Sequence, residues 1–150
     1  MIKLLSEDYV QARIIDYLAK NGWSKRLKAK GLKEHGVDIK VKNDKVARYF
    51  LVECKGDASP KAKYPRSHRE VHFNLALGQI ITRMKTGGTR GYKYRYKYGL
   101  AAFKDLVARR VPYDVCDKLN LYIFLVDESS EVEMLGWRDL KKIQTNAATK

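Results

Sequence analysis

Residues 48–56 read RYFLVECKG, and the way this stretch ends decides how the fold is read. Tyr49, Phe50, Leu51 and Val52 are aromatic or branched and suit the pleated surface of a strand. Glu53, Cys54 and Lys55 then close the run, and Gly56 follows at once. Side chains two apart share one face of a strand. Glu53 and Lys55 are therefore expected to project together, while Cys54 turns the other way with Phe50 and Val52. An acid and a base at the tip of an apolar strand need a chemical reason.

The stretch just upstream supplies one. Residues 36–41, GVDIKV, alternate apolar and polar, which predicts a half-buried strand with Val37, Ile39 and Val41 on one face and Asp38 on the other. KNDK forms a turn, and the next strand over 47–55 then pairs back as a hairpin. Asp38 and Glu53 converge beside Lys55 in that arrangement. Two close carboxylates resist ionising together unless a cation lies between them. Mg²⁺ suits such a pair, because it takes oxygen ligands and binds through one or two carboxylates; Mn²⁺ is the expected substitute.

The rest of the chain frames this hairpin. Residues 6–21 predict a helix capped by Ser6, with Glu7 and Asp8 at its positive end, an apolar stripe of Val10, Ile14 and Leu18, and Gly22 as the stop. Residues 56–65 carry the Gly and Pro content of a loop. A second helix is expected over 67–84, with its core stripe at Phe73, Leu77, Ile80, Ile81 and Met84. A basic loop leads to a strand at 98–103, a partly helical segment, a strand at 121–126, an edge strand from Glu131 and a closing helix from Trp137. The order predicts a single α/β domain over 1–150, a mixed sheet flanked by helices.

At this point the motif resembles a known family. GVD on one strand, then an apolar strand ending in VECKG, is similar to the PD-(D/E)xK nuclease superfamily, with the match at Asp38, Glu53 and Lys55. Val37 stands where the pattern's proline would be. The resemblance implies a restriction-endonuclease-like core of αβββαβ order and a Mg²⁺-dependent DNA endonuclease, of restriction or Holliday-junction-resolvase type. It implies Asp38, Glu53 and the Cys54 backbone carbonyl as metal ligands, with Lys55 at the attacking water. Members often carry an acid on the first helix and a Gln on the helix after the motif, and Glu7 and Gln79 stand in those places.

Charge points the same way. The net charge is +14, and residues 104–150 hold as many acids as bases, so the first 103 residues carry all of it. Such a field favours a polyanion, DNA first. Lys61, Lys63, Arg66, Arg83, Lys93, Arg95 and Lys97 are the candidate phosphate contacts. GYKYRYKYG, residues 91–99, interleaves tyrosines with cations and reads as a surface for phosphates and stacked bases. His68 and His72 stand four apart, but HREVH lacks the acid position of a zinc protease, and both read as surface or as DNA contacts, surface first, while His35 is a candidate for the site's rim. Cutting both strands with one small domain needs two active sites, hence an expected homodimer. Two cysteines, no apolar run of 18 residues and an acid by residue 7 predict an intracellular protein with no membrane segment. No nucleotide cofactor is expected. The alternative from another class is a non-catalytic nucleic-acid-binding module.

Overall fold

The central sheet has five strands in the order β1-β2-β3-β4-β5, which is also their order along the chain. They are β1 (Ile39–Asn43), β2 (Arg48–Glu53), β3 (Tyr96–Ala102), β4 (Leu121–Val126) and β5 (Val132–Leu135). The two outer pairs are antiparallel, while β2, β3 and β4 run parallel, so the sheet is mixed. The computed structural model describes residues 5–24, 38–43, 45, 48–56, 63–84, 96–127 and 131–148, with backbone alone at Pro65 and Arg66.

Helices cover both faces. On one side α1 (Glu7–Lys20) lays Val10, Ile14 and Leu18 on Ile39, Val41, Phe50, Val52 and Phe124. On the other lie α2 (Pro65–Arg83), α3 (Lys104–Arg109), α4 (Tyr113–Leu119) and α5 (Trp137–Ala148), with Phe73, Ala76 and Ile80 of α2 packed in the core with Leu51, Tyr98 and Leu100. The parallel strand β3 is buried on both faces and reads accordingly as an almost unbroken apolar run. Two stacked layers of core, one per sheet face, make this an α/β protein. Among the described residues no helix is long and apolar enough to cross a membrane.

Local chemistry sets the ends of α1. The Ser6 hydroxyl accepts from the Tyr9 N–H at 3.1 Å, satisfying one of the orphan donors of the first turn. At the other end Trp23 N–H donates to Leu18 O and Gly22 N–H to Ala19 O, a Schellman pair. Gly22 sits at φ +90°, a conformation that costs glycine little. Trp23 then packs edge-on against Phe50, tying the helix end to β2.

Several boundaries and assignments differ from expectation. β1 starts at Ile39 rather than residue 36, since Asp38 leaves the ladder and bonds a backbone N–H through its side chain. β2 ends at Glu53, two residues early, and β3 begins at Tyr96 rather than residue 98. α2 begins at Pro65, inside the expected 56–65 loop; proline at a first helical turn loses no hydrogen bond. Its buried stripe is Phe73, Ala76 and Ile80, while Ile81 is 48% exposed because it stands about 100° further round the helix. Two strands, not three, separate α1 from α2 among the described residues, so the αβββαβ order is not seen there. Residues 25–37, with Val37 and His35, lie outside the described residues.

Candidate active site

The site forms where the β1–β2 ladder runs out. Ile39 with Val52 is the last pair of the ladder, and Asp38 and Glu53 are the next residues beyond it on the two chains. Phe50 and Val52 face α1, so Glu53 faces the α2 side near Arg83, while Asp38 stands just outside the ladder beside Cys54. They are the two buried charged residues of the described chain, at 5% and 2% exposure. Asp38 Oδ2 accepts from the Cys54 N–H at 2.9 Å, which fixes that carboxylate across the strand ends. Cys54 turns its thiol into the core beneath α1 and is fully buried.

Two neighbours of the motif come from the helices. Arg83, in the last turn of α2, holds Nε 3.9 Å from Glu53 Oε1, an ion pair too long to be a hydrogen bond. Arg83 is one of the candidate phosphate contacts, and its Nε faces the acid here. His72 lies three turns earlier on the same flank, and its Nδ1 is 3.0 Å from Gly56 O. A carbonyl can only accept, so Nδ1 carries the proton. His72 is therefore half-buried and tied to the motif, not the plain surface residue expected from HREVH.

Gly56 is the joint between these parts. A Cβ placed there would lie 2.6 Å from the Ser6 carbonyl carbon and 2.7 Å from Leu5 O, and closer still to the Glu7 amide nitrogen. Only glycine lets the main chain after Lys55 meet the main chain at the start of α1. That contact brings Glu7, the half-buried first residue of α1, alongside the tip of β2. One residue thus touches α1 on one side and His72 of α2 on the other. Lys55, half-buried, lies between Glu53 and this joint.

The other expected residues are spread more widely. Gln79 is exposed on the α2 flank, one turn before Arg83, and its backbone carbonyl accepts from the Thr82 hydroxyl. Lys63 is exposed, with Nζ 5.5 Å from the Tyr64 ring centroid. Lys97 lies opposite Phe50 on the α1 face, while Leu100 stands opposite Glu53. That puts Lys97 about 10 Å along the strand from the acids and on the other side of the sheet. Burial first, and Arg48 second, lower its pKa. Tyr96 and Tyr98 are core residues at 7% and 5% exposure, which corrects their reading as stacking surfaces. Lys61, Lys93 and Arg95, and the Arg66 side chain, lie outside the described residues. Arg69 pairs with Asp105 at 3.3 Å and stacks over Phe103. Lys40 is exposed between the buried Ile39 and Val41, two residues from Asp38, a position that the strand alternation alone makes legible.

The donor set fits a hard cation. Asp38 and Glu53 offer carboxylate oxygens, the nearest sulfur is turned away into the core, and oxygen-only sets suit Mg²⁺ rather than zinc. Among the described residues no group of three His, Cys, Asp or Glu side chains gathers at ligand distance, so backbone carbonyl and water would complete the shell. No family model, no curated protein and no solved structure matches this chain.

Proposed function

We propose that this chain is a Mg²⁺-dependent DNA endonuclease of the PD-(D/E)xK type, built on a restriction-endonuclease-like core. One observation carries the reading. In a chain of net charge +14, the two buried carboxylates of the described residues come at the end of one strand pair, where Asp38 bonds the N–H of the residue after Glu53 and a lysine follows next in line. Burying two like charges side by side is costly, and a fold bears that cost where the charges have work to do.

Asp38 and Glu53 would hold the metal, joined by the Cys54 carbonyl. When bound, Mg²⁺ supplies an acidified water and neutralises charge on the scissile phosphate. The Cys54 N–H keeps Asp38 in one rotamer, so the carboxylate is oriented before any ligand arrives. Lys55 places a cation where negative charge develops on the phosphate. Gly56 fixes the path of the chain after Lys55 against α1, and His72 anchors the same carbonyl from α2. Lys40 and Lys63 are exposed cations able to take backbone phosphates, which makes binding salt-dependent. A homodimer would supply the second active site for two-strand cleavage.

A second reading, a DNA-binding module without catalysis, draws on the fact that both acids already have partners in the chain, Cys54 N–H and Arg83. Incubating the protein with supercoiled plasmid and with a four-way DNA junction, in Mg²⁺ or in EDTA, separates the two. Cutting in Mg²⁺ alone supports the nuclease, and its preferred substrate tells a restriction-type from a junction-resolving enzyme. Binding to both substrates without cutting in either metal condition supports the module.

A further inference from the structure

We propose that Arg83 is a built-in counter-cation for Glu53 that a divalent metal displaces, coupling metal binding to DNA binding. The proposal rests on the nuclease reading and deepens it. Glu53 is almost wholly buried, with its side chain 3% exposed, whereas the Arg83 side chain is 34% exposed. The acid is fixed by its strand; the arginine sits at the last turn of a helix whose next residue, Met84, is already extended. Of the two, Arg83 is the more exposed side chain and sits at the end of its element, although its Nε is itself buried against the acid.

The geometry of the pair supports a temporary partnership. A guanidinium that is a permanent structural partner grips a carboxylate with two short, parallel N–H···O bonds. Here the approach is through Nε at 3.9 Å, and among the described residues that Nε makes no hydrogen bond. The contact is electrostatic neutralisation without a directed bond. A dication between Asp38 and Glu53 would take over the neutralisation and repel the guanidinium at the same time. Arg83 stands on the flank of α2 that it shares with His72 and Gln79, so a phosphate approaching the acids meets it. Phosphate binding would draw Arg83 from Glu53, and metal affinity would rise by the factor that metal adds to DNA affinity.

The test is Mn²⁺ affinity, read by electron paramagnetic resonance on the free protein and on the protein bound to a non-cleavable phosphorothioate duplex. Wild type is compared with Arg83→Gln, Arg83→Lys and Glu53→Gln, each first checked for native circular dichroism. Without DNA, Arg83→Gln is expected to bind Mn²⁺ about tenfold more tightly than wild type, and Arg83→Lys within about threefold of it. DNA should tighten Mn²⁺ binding in wild type and leave Arg83→Gln unchanged. Equal or weaker Mn²⁺ binding by Arg83→Gln, with wild-type binding that Glu53→Gln abolishes, would overturn the role of Arg83 and leave the nuclease reading standing. Wild-type Mn²⁺ binding that is absent, or indifferent to Glu53→Gln, would overturn both.

Discussion

Alanine at Gly56 and alanine at Gly78 are the same chemical change, and the structure gives them opposite signs. Replacing glycine by alanine where the backbone tolerates it stabilises a chain by about 0.4–1 kcal/mol, because the unfolded state loses freedom. Gly78 is such a place: it lies inside α2, and a Cβ there meets nothing within 4 Å. Gly56 has the same entropic gain available, yet its Cβ would sit at 2.6–2.7 Å from main-chain atoms of Ser6 and Leu5. Main chain at a capped helix start cannot rotate aside as a side chain does. Overpacking costs about 1–3 kcal/mol, and with backbone on every side the upper half of that range applies. The net expectation is a loss of about 2 kcal/mol for Gly56→Ala and a gain of about 0.5–1 kcal/mol for Gly78→Ala. For a chain of this length each kcal/mol moves the thermal midpoint by about 2–4 °C. Thermal melts should therefore show Gly56→Ala about 4–8 °C below wild type and Gly78→Ala slightly above it. Because the displaced segment carries Glu7 and the Gly56 carbonyl carries His72, Gly56→Ala should also lose cleavage beyond its loss of stability. A Gly56→Ala protein as stable as wild type would refute the close approach of α1 to the motif.

Other expectations follow from single contacts. Asp38→Ala leaves the buried Cys54 N–H without its acceptor and should cost about 1–3 kcal/mol in urea unfolding, whereas Asp38→Asn keeps an acceptor oxygen and most of that stability while losing cleavage. His72→Asn, whose amide nitrogen can replace Nδ1, should keep kcat within about threefold, and His72→Gln or His72→Ala should lower kcat more than KM. Ser6→Ala should cost about 1 kcal/mol through the lost cap. Burial pushes the Cys116 thiol from 9.0 up to about 11, so its contribution is fully present below pH 9 and is lost as pH rises through about 11. The urea midpoint should accordingly fall between pH 9 and 11 by more in wild type than in Cys116→Ala.

The sheet and the position of the acids were legible because their signals are local. Period-2 alternation over Ile39–Val41 and the run from Tyr49 to Val52 fix which side chains of β1 and β2 share a face, and the β1–β2 ladder ends just before Asp38, whose carboxylate accepts from the Cys54 N–H. Ser6, Gly22 and the Val10–Ile14–Leu18 stripe likewise announced α1. What escaped was everything set by two elements meeting in space. The sequence shows Arg83, His72 and Gly56 as a cation, a surface histidine and a loop glycine. Only the packing of α2 on β2, and of α1 on the turn after Lys55, gives them partners. Tyr96 and Tyr98 were misread for the related reason that alternation alone does not say which face is wet; the helices on that side decide it.

The proposed chemistry meets its most direct test in single-turnover cleavage of plasmid DNA by wild type and Lys55→Ala, with DNA affinity measured on the same samples in Ca²⁺. Lys55 is half-buried at the site and makes no ion pair among the described residues, so its removal should leave the fold and the binding intact. The expected result is Mg²⁺-dependent cutting by wild type, a loss of at least a hundredfold in Lys55→Ala (about 2.7 kcal/mol), and affinities within about threefold of each other. Equal cutting by both proteins, or none by wild type in Mg²⁺ or Mn²⁺, would contradict it.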